Sequence, residues 1–204
     1  MASSCAGRRA AYPPCMGLPL TVDAWPGGSV RTERLLLRAP EARDRGEFLA
    51  LGSDPVVNHH LGGGQDRGTL EATLPAVPAD RPAQYVVERD GRFLGWIGLS
   101  RREADRPGGS SVEGHGPAGV LELSYVLPVH AWGHGYAAEA CAALLATSDD
   151  RLGEPVVLCT QVGNTRSRAL AERLGFTEVE RFDEFGAAHA SAAYPCPHEC
   201  TGRT

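Results

Sequence analysis

A strand that leads through a glycine-containing turn into a long alanine-rich helix constrains this fold more than any other feature. Residues 121–127 (LELSYVL) predict the strand, and residues 134–147 predict the helix. Gly133 and Gly135 remove side chains where the helix begins, which leaves several backbone N–H groups unpaired and approachable. Because unpaired amides and the helix dipole both favour negative charge, the turn predicts a site for a phosphate or pyrophosphate group.

The residues of this turn do not fit two other phosphate-binding motifs. A nucleotide-hydrolysing phosphate loop needs a Lys-Ser/Thr pair after its glycines, and none follows here. A dinucleotide G-x-G-x-x-G motif needs a third glycine that the turn lacks. The simplest alternative is that Gly133 and Gly135 only make a tight connection between strand and helix.

Length and composition describe a single domain with tails. The chain has 204 residues, a formal net charge of −5 and no apolar run long enough to cross a bilayer, so no membrane association is expected. The negative charge argues against nucleic acid as a partner and allows cationic substrates. The six cysteines are scattered, so reduced thiols and a cytoplasmic location are expected. Cys196-Pro-His-Glu-Cys200 is a lone cluster without a second ligand pair, and no metal site is predicted.

Strands and helices alternate along the chain, but one strong hairpin signal makes the predicted sheet mixed rather than all-parallel. Asp90-Gly91 is typical of a type I′ turn between two strands. Asn164 predicts a helix N-cap and Gly175 the end of that helix. The predicted strands cover residues 32–38, 84–88, 93–100, 119–127, 155–161 and 177–182.

Several motifs fall in the order typical of one family. They are Thr32-x-Arg34-Leu-x-Leu-Arg38, Gly95-Trp-Ile-Gly-Leu99, Glu122-Leu-Ser-Tyr125, His130-x-x-Gly133-x-Gly135, and Asn164-x-x-Ser167 with Leu174-Gly-Phe176. Over roughly residues 30–186 the chain resembles the GNAT superfamily of N-acetyltransferases, and most of all its RimJ/RimL-type branch. The resemblance implies an α+β fold with a mixed, mostly antiparallel twisted sheet flanked by helices, in which two central parallel strands splay apart.

The resemblance also implies how acetyl-CoA binds as cosubstrate in the gap between the splayed strands. The backbone of Tyr125, Val126 and Leu127 would pair with the pantetheine arm like an added strand, and the Val126 N–H would donate to the thioester carbonyl. Asn164 would contact the pantetheine region, with Ser167 near the departing thiolate. The pyrophosphate would contact His130 and the amides of Gly133, His134, Gly135, Tyr136, Ala137 and Ala138.

The chemistry requires that a primary amine, from a protein N-terminus or a small molecule, loses a proton before it attacks the thioester. Glu122 matches the position of a general base in many relatives, and its alternatives are a substrate-charge anchor and an exposed strand carboxylate. Many relatives also have a tyrosine, as general acid for the thiolate, where this chain has Ala171. His59 and His60 are candidates for substrate contacts, and the alternative is that both are solvated loop histidines.

The alternative function is a catalytically idle acyl-CoA-binding module or a damaged enzyme. The doubtful C-terminal strand and Ala171 favour this alternative. Residues 1–29 are interpreted as a disordered or mis-assigned extension, and 30–186 as the acetyltransferase domain. Residues 187–204 are alanine-rich and then broken by prolines, so an irregular tail with a doubtful last strand is expected. The oligomeric state stays open, and a homodimer that covers the last strand's edge is one arrangement compatible with the sequence.

Overall fold

A computed structural model describes residues 28–79, 81–103, 106–109, 112, 119–152 and 154–194. The extension predicted over residues 1–29 therefore lies almost wholly outside the described residues, as does the cysteine cluster at 196–200. No helix in the described part of the chain is both long and apolar enough to cross a membrane.

One mixed sheet with flanking helices organises the described residues. Its strand order is β1-β2-β3-β4-β5-β6-β8-β7, and only the β5–β6 pair is parallel. This confirms the predicted mixed, mostly antiparallel architecture. The strands are β1 Val30–Arg31, β2 Leu36–Arg38, β3 Gln84–Arg89, β4 Arg92–Arg102, β5 Val120–Val126, β6 Val156–Gln161, β7 Thr177–Glu184 and β8 Ala187–Tyr194; the helices are α1 Arg45–Ser53, α2 Arg67–Thr73, α3 Tyr136–Arg151 and α4 Thr165–Arg173.

The structure confirms the predicted hairpin turn between β3 and β4 but corrects the first predicted strand. Asp90 and Gly91 both have positive φ, 51° and 76°, which confirms the type I′ hairpin between β3 and β4. The strand predicted over residues 32–38 is wrong in its first part, because residues 32–35 form the turn between β1 and β2 and only Leu36–Arg38 are strand. In that turn the Leu35 N–H donates to Thr32 Oγ1 at 2.9 Å, and the Thr32 N–H donates to the Leu35 carbonyl at 2.9 Å.

The sheet separates two sets of helices, and alternation along β5 decides which residues face each set. Leu121 and Leu123 pack with α3 and α4 through Leu144 and Leu170. Val126 points to the opposite face and packs with the apolar side of α1 and α2. The side chains of Glu122 and Ser124 alternate in the same way, so they lie on the α1/α2 face.

The parallel strands β5 and β6 diverge soon after they begin. They pair with each other at Leu121–Val156 and Glu122–Val157, and no further pair joins these two strands. Beyond this point a gap opens between residues 124–126 of β5 and residues 159–161 of β6. This is the splayed central strand pair that the resemblance to the family implies.

The C-terminal prediction needs a correction. Residues 187–194 form β8, an inner strand that pairs with β6 from Val156–Tyr194 to Gln161–His189 and with β7 on its other side. The irregular tail expected there is wrong over these residues. Hydrogen bonds from two neighbours, with small side chains that fit a crowded interior, outweigh the weak strand preference of alanine. Phe185 and Gly186, both with positive φ, make the tight turn that returns the chain.

Candidate functional site

The glycine turn lies at the mouth of the gap, between β5 and α3. After Pro128 a short 3-10 turn over Val129–Ala131 redirects the chain, and the Trp132 indole N–H donates to the Leu127 carbonyl at 2.8 Å. Gly133 and Gly135 both adopt left-handed φ values, 78° and 79°, and Gly135 is the N-cap of α3. A Cβ placed on Gly133 would meet no atom within 4 Å, so no described group blocks the approach at this glycine. The start of α3 therefore offers open space to an anion at the predicted position.

Cations flank this turn on two sides. Arg34 Nη1 donates to the His134 carbonyl at 3.1 Å, while Arg34 Nε pairs with Glu139 Oε2 at 2.7 Å. On the α4 side the Arg166 guanidinium carbon lies 4.7 Å from the centre of the Trp132 ring. Glu139 ties α3 to the turn between β1 and β2, because its carboxylate accepts hydrogen bonds from the Thr32 hydroxyl and the Arg34 N–H. Because Glu139 already pairs with Arg34, the attraction for a phosphate group at this turn comes mainly from the unpaired amides at the start of α3.

The remaining residues predicted at the turn are close to it. The His134 ring stacks on Tyr136 with 5.4 Å between ring centres, and His130 lies exposed in the 3-10 turn. Tyr136 begins α3 and accepts a hydrogen bond from Arg89 on its hydroxyl. Ala137 and Ala138 follow in the first turn of the helix, where backbone N–H groups have no partner within the helix.

Asn164, Ser167 and Tyr125 come together where α4 begins beside the gap. Asn164 Oδ1 accepts from the Ser167 N–H at 3.2 Å, which confirms the predicted N-cap. The Tyr125 hydroxyl donates to Ser167 Oγ at 3.0 Å, and Ser167 is only 7% exposed. Burial raises the pKa of Tyr125, so its hydroxyl stays protonated. With Tyr125 as its donor, Ser167 keeps its own proton available for a further acceptor. Ala171, one turn further along α4, is buried.

Glu122 lies at the last paired position before the gap, but a buried ion pair encloses it. The residue is 2% exposed, and its two carboxylate oxygens lie 3.3 and 3.2 Å from Arg102 Nη1. Arg102 Nη2 pairs with Glu184 at 3.1 Å, and Arg106 Nε pairs with the same carboxylate at 2.7 Å. Burial raises the pKa of Glu122, and the positive charges of Arg102 and Arg106 oppose the rise. A carboxylate in this setting is held by Arg102 rather than presented to a substrate.

Sequence reasoning missed two features of the α1/α2 face. The first is the partner of Glu122, because nothing in the sequence pairs Arg102 with a residue 20 positions away. The second is a contact between the loop after α1 and the end of β6, in which His60 Nδ1 lies 3.1 Å from Gln161 Oε1. The only sequence signal for it was the pair His59-His60 before a run of glycines. No group of three or more His, Cys, Asp or Glu side chains is arranged to hold a metal among the described residues.

Comparison with known proteins agrees with this geometry. Residues 34–177 match the family model described as an acetyltransferase (GNAT) domain. The uncharacterized protein YkkB of Bacillus subtilis is 27% identical over 153 residues, which cover 71% of this chain and 82% of YkkB.

Solved structures show the same fold. A GNAT-family acetyltransferase from Bacillus anthracis superposes with a TM-score of 0.65 at 19% identity, over 82% of this chain and 98% of that one. RimL, an α-N-protein acetyltransferase of ribosomal protein L7/L12 crystallised with coenzyme A, superposes with a TM-score of 0.57 at 15% identity, over 82% and 97%. A splayed sheet with a glycine turn before α3 defines an acyltransferase-type fold. The chain belongs to the GNAT family of acetyltransferases.

Proposed function

We propose that the protein transfers an acetyl group from acetyl-CoA to a primary amine, by direct attack of the amine in a ternary complex. The observation that carries this proposal is the gap between β5 and β6, which begins beyond Glu122–Val157 and has the open glycine turn at its mouth. A strand edge, a run of unpaired helix amides and flanking cations are then within reach of one elongated anionic ligand.

Different residues along this gap contact different parts of acetyl-CoA. The amides of residues 133–138, with His130, hold the pyrophosphate. The space beside Gly133 is open to this ligand, because a Cβ built there would meet no described atom within 4 Å. The backbone of residues 125–127 pairs with the pantetheine arm. Asn164 fixes the start of α4 against that arm through its cap.

Two groups of the chain act on the reacting atoms. Acetyl-CoA supplies the activated thioester. The Val126 N–H donates to the thioester carbonyl oxygen, where negative charge develops as the amine nitrogen attacks. The Ser167 hydroxyl, which accepts from Tyr125, gives its proton to the departing sulfur and stands in for the tyrosine missing at Ala171. A thiol with a pKa near about 8.5 is a tolerable leaving group, so this assistance is helpful rather than indispensable.

Glu122 receives a different role from the base that its position in the sequence suggested. We assign it to anchor Arg102 and so to fix the closed end of the gap, because its carboxylate is buried within that ion pair. The enclosure of Glu122, with the alanine at 171, also favours the second candidate function, an acyl-CoA-binding module without turnover.

We place the protein in the RimJ/RimL-type branch, which the order of its motifs suggests. Its amine substrate is a protein N-terminus or a small molecule. The fold shared with RimL is compatible with a protein N-terminus. The net charge of −5 suits either kind of cationic substrate.

The test is a turnover assay on purified protein with acetyl-CoA and three amine probes: a serine-initiated peptide, kanamycin and spermidine. Thiol release is followed spectroscopically, and mass spectrometry locates the acetyl group on the product. Amine-dependent thiol release with an acetylated product supports the enzyme. Saturable acetyl-CoA binding without turnover of any probe supports the idle module.

A further inference from the structure

The amine must lose a proton at a defined place, and the enclosure of Glu122 leaves that role to another group. Acetyl-CoA and its contacts in the proposed function lie on the α3/α4 face, where the glycine turn, Asn164 and Ser167 are found. The amine then approaches the thioester from the opposite, α1/α2 face. A proton acceptor is needed on that face, at the level of Val126.

The divergence of β5 and β6 defines that level. Val126 and Gln161 each lie four residues beyond the last pair, Glu122–Val157, and so face each other across the gap at the same height. Alternation places both side chains on the α1/α2 face. Val126 packs there with Phe48 and Trp96, and Gln161 reaches the loop that follows α1.

Gln161 fixes a histidine at this position. His60 Nδ1 lies 3.1 Å from Gln161 Oε1. Because an amide oxygen only accepts, this contact is a hydrogen bond in the tautomer that carries its hydrogen on Nδ1. That tautomer leaves Nε2 as an acceptor. His60 is partly exposed, and the His59 ring lies edge-on with 4.7 Å between centres. A histidine oriented by a hydrogen bond on its far nitrogen is the arrangement that enzymes use for a general base.

We propose that His60 is the general base for the acetyl transfer and that Gln161 orients its ring. This inference rests on the proposed function. His60 Nε2 takes one proton from the substrate ammonium group, directly or through one water. The freed electron pair on nitrogen forms the new C–N bond, and the C–S bond breaks with its pair on sulfur. Ser167 protonates that sulfur and regains a proton from the attacking nitrogen through water, and His60 returns its proton to solvent.

The neighbouring histidine supplies a matched control. We compare His60→Gln and His60→Ala with His59→Gln, each assayed for kcat, for KM of the reactive amine, and for acetyl-CoA affinity by calorimetry. Loss of a general base lowers kcat about 10²- to 10⁴-fold, whereas acetyl-CoA affinity stays within about twofold because His60 lies on the other face. His59→Gln retains at least half of the activity. Added imidazole restores part of the activity of His60→Ala, which a purely structural loss does not allow.

Gln161→Leu tests the orientation of the ring. It lowers kcat and leaves the KM of both substrates unchanged, since the imidazole remains but is no longer held. Retention of more than a third of the activity by His60→Gln, or failure of imidazole to rescue His60→Ala, overturns the inference while the proposed function stands. Absence of turnover by the unmodified chain overturns both.

Discussion

Replacing Gly133 by alanine separates the cost of backbone strain from the cost of a blocked anion site. Gly133 has a φ of 78°, and a Cβ there would meet nothing within 4 Å. Gly186, in the turn between β7 and β8, has a φ of 76° and the same empty surroundings. An alanine in this left-handed region costs roughly 1–2 kcal/mol at either position. Each variant should therefore lower Tm by about 2–8 °C, given about 2–4 °C per kcal/mol for a chain of this size.

Only Gly133→Ala should also weaken acetyl-CoA binding. Its methyl group takes up part of the open space that we assign to the pyrophosphate, and the loss of one hydrogen bond to a charged group costs about 1.5–3 kcal/mol. The Kd for acetyl-CoA should rise about 10- to 150-fold in Gly133→Ala and stay unchanged in Gly186→Ala, as measured by isothermal calorimetry at constant salt. Wild-type affinity in Gly133→Ala, with the expected fall in Tm, would refute the assignment of the pyrophosphate to this turn.

Two further predictions concern α4 and the Arg38 ion pair. Ser167→Ala should lower kcat about 10- to 100-fold at unchanged acetyl-CoA affinity. Full kcat in this variant would contradict the role of Ser167 as proton donor to the departing sulfur. Asp44→Asn should lower the free energy of unfolding by about 1.5–3 kcal/mol at pH 7, because Asp44 makes two hydrogen bonds to buried Arg38 at 2.7 and 2.8 Å. The loss stays in this range because Arg38 retains its ion pair with Glu88 at 2.6 Å. Burial alone would raise the pKa of Asp44, but Arg38 and the Glu41 N–H lower it below 3.8, so this contribution is present above about pH 4 and is lost as the pH falls through the lower folded value. In urea titrations from pH 7 to 3, the difference in free energy of unfolding between wild type and Asp44→Asn should shrink below pH 4. An equal difference at every pH would show that the effect does not depend on the ionised Asp44 carboxylate.

The elements that define the cosubstrate side follow from local sequence signals. The type I′ turn at Asp90-Gly91, the cap at Asn164 and the glycine turn at Gly133 depend on residues within a few positions of one another. Local φ preferences and side-chain caps act over that distance, so the amino-acid sequence alone is enough to predict these turns and the helix cap. The splayed pair came from the resemblance to the family rather than from periodicity.

The substrate side depends on contacts between distant segments, and it was predicted poorly. Glu122 meets Arg102 because β4 and β5 are neighbours, and His60 meets Gln161 because the loop after α1 crosses the end of β6. Single-sequence patterns do not encode such pairings. Strand β8 was missed for a related reason, since pairing on both sides stabilises an alanine-rich segment that has little strand preference of its own.

Thermal-shift titration of the purified chain with acetyl-CoA, beside free CoA and ATP, tests the central assignment most directly. A ligand at 100 times its Kd raises the free energy of unfolding by about 2.7 kcal/mol, which corresponds to roughly 5–11 °C in Tm. The assignment of the β5–β6 gap predicts a saturable shift of this size with acetyl-CoA and CoA and a much smaller one with ATP, which lacks the pantetheine arm. A cooperative melt that acetyl-CoA does not move, or that ATP moves equally, would contradict it.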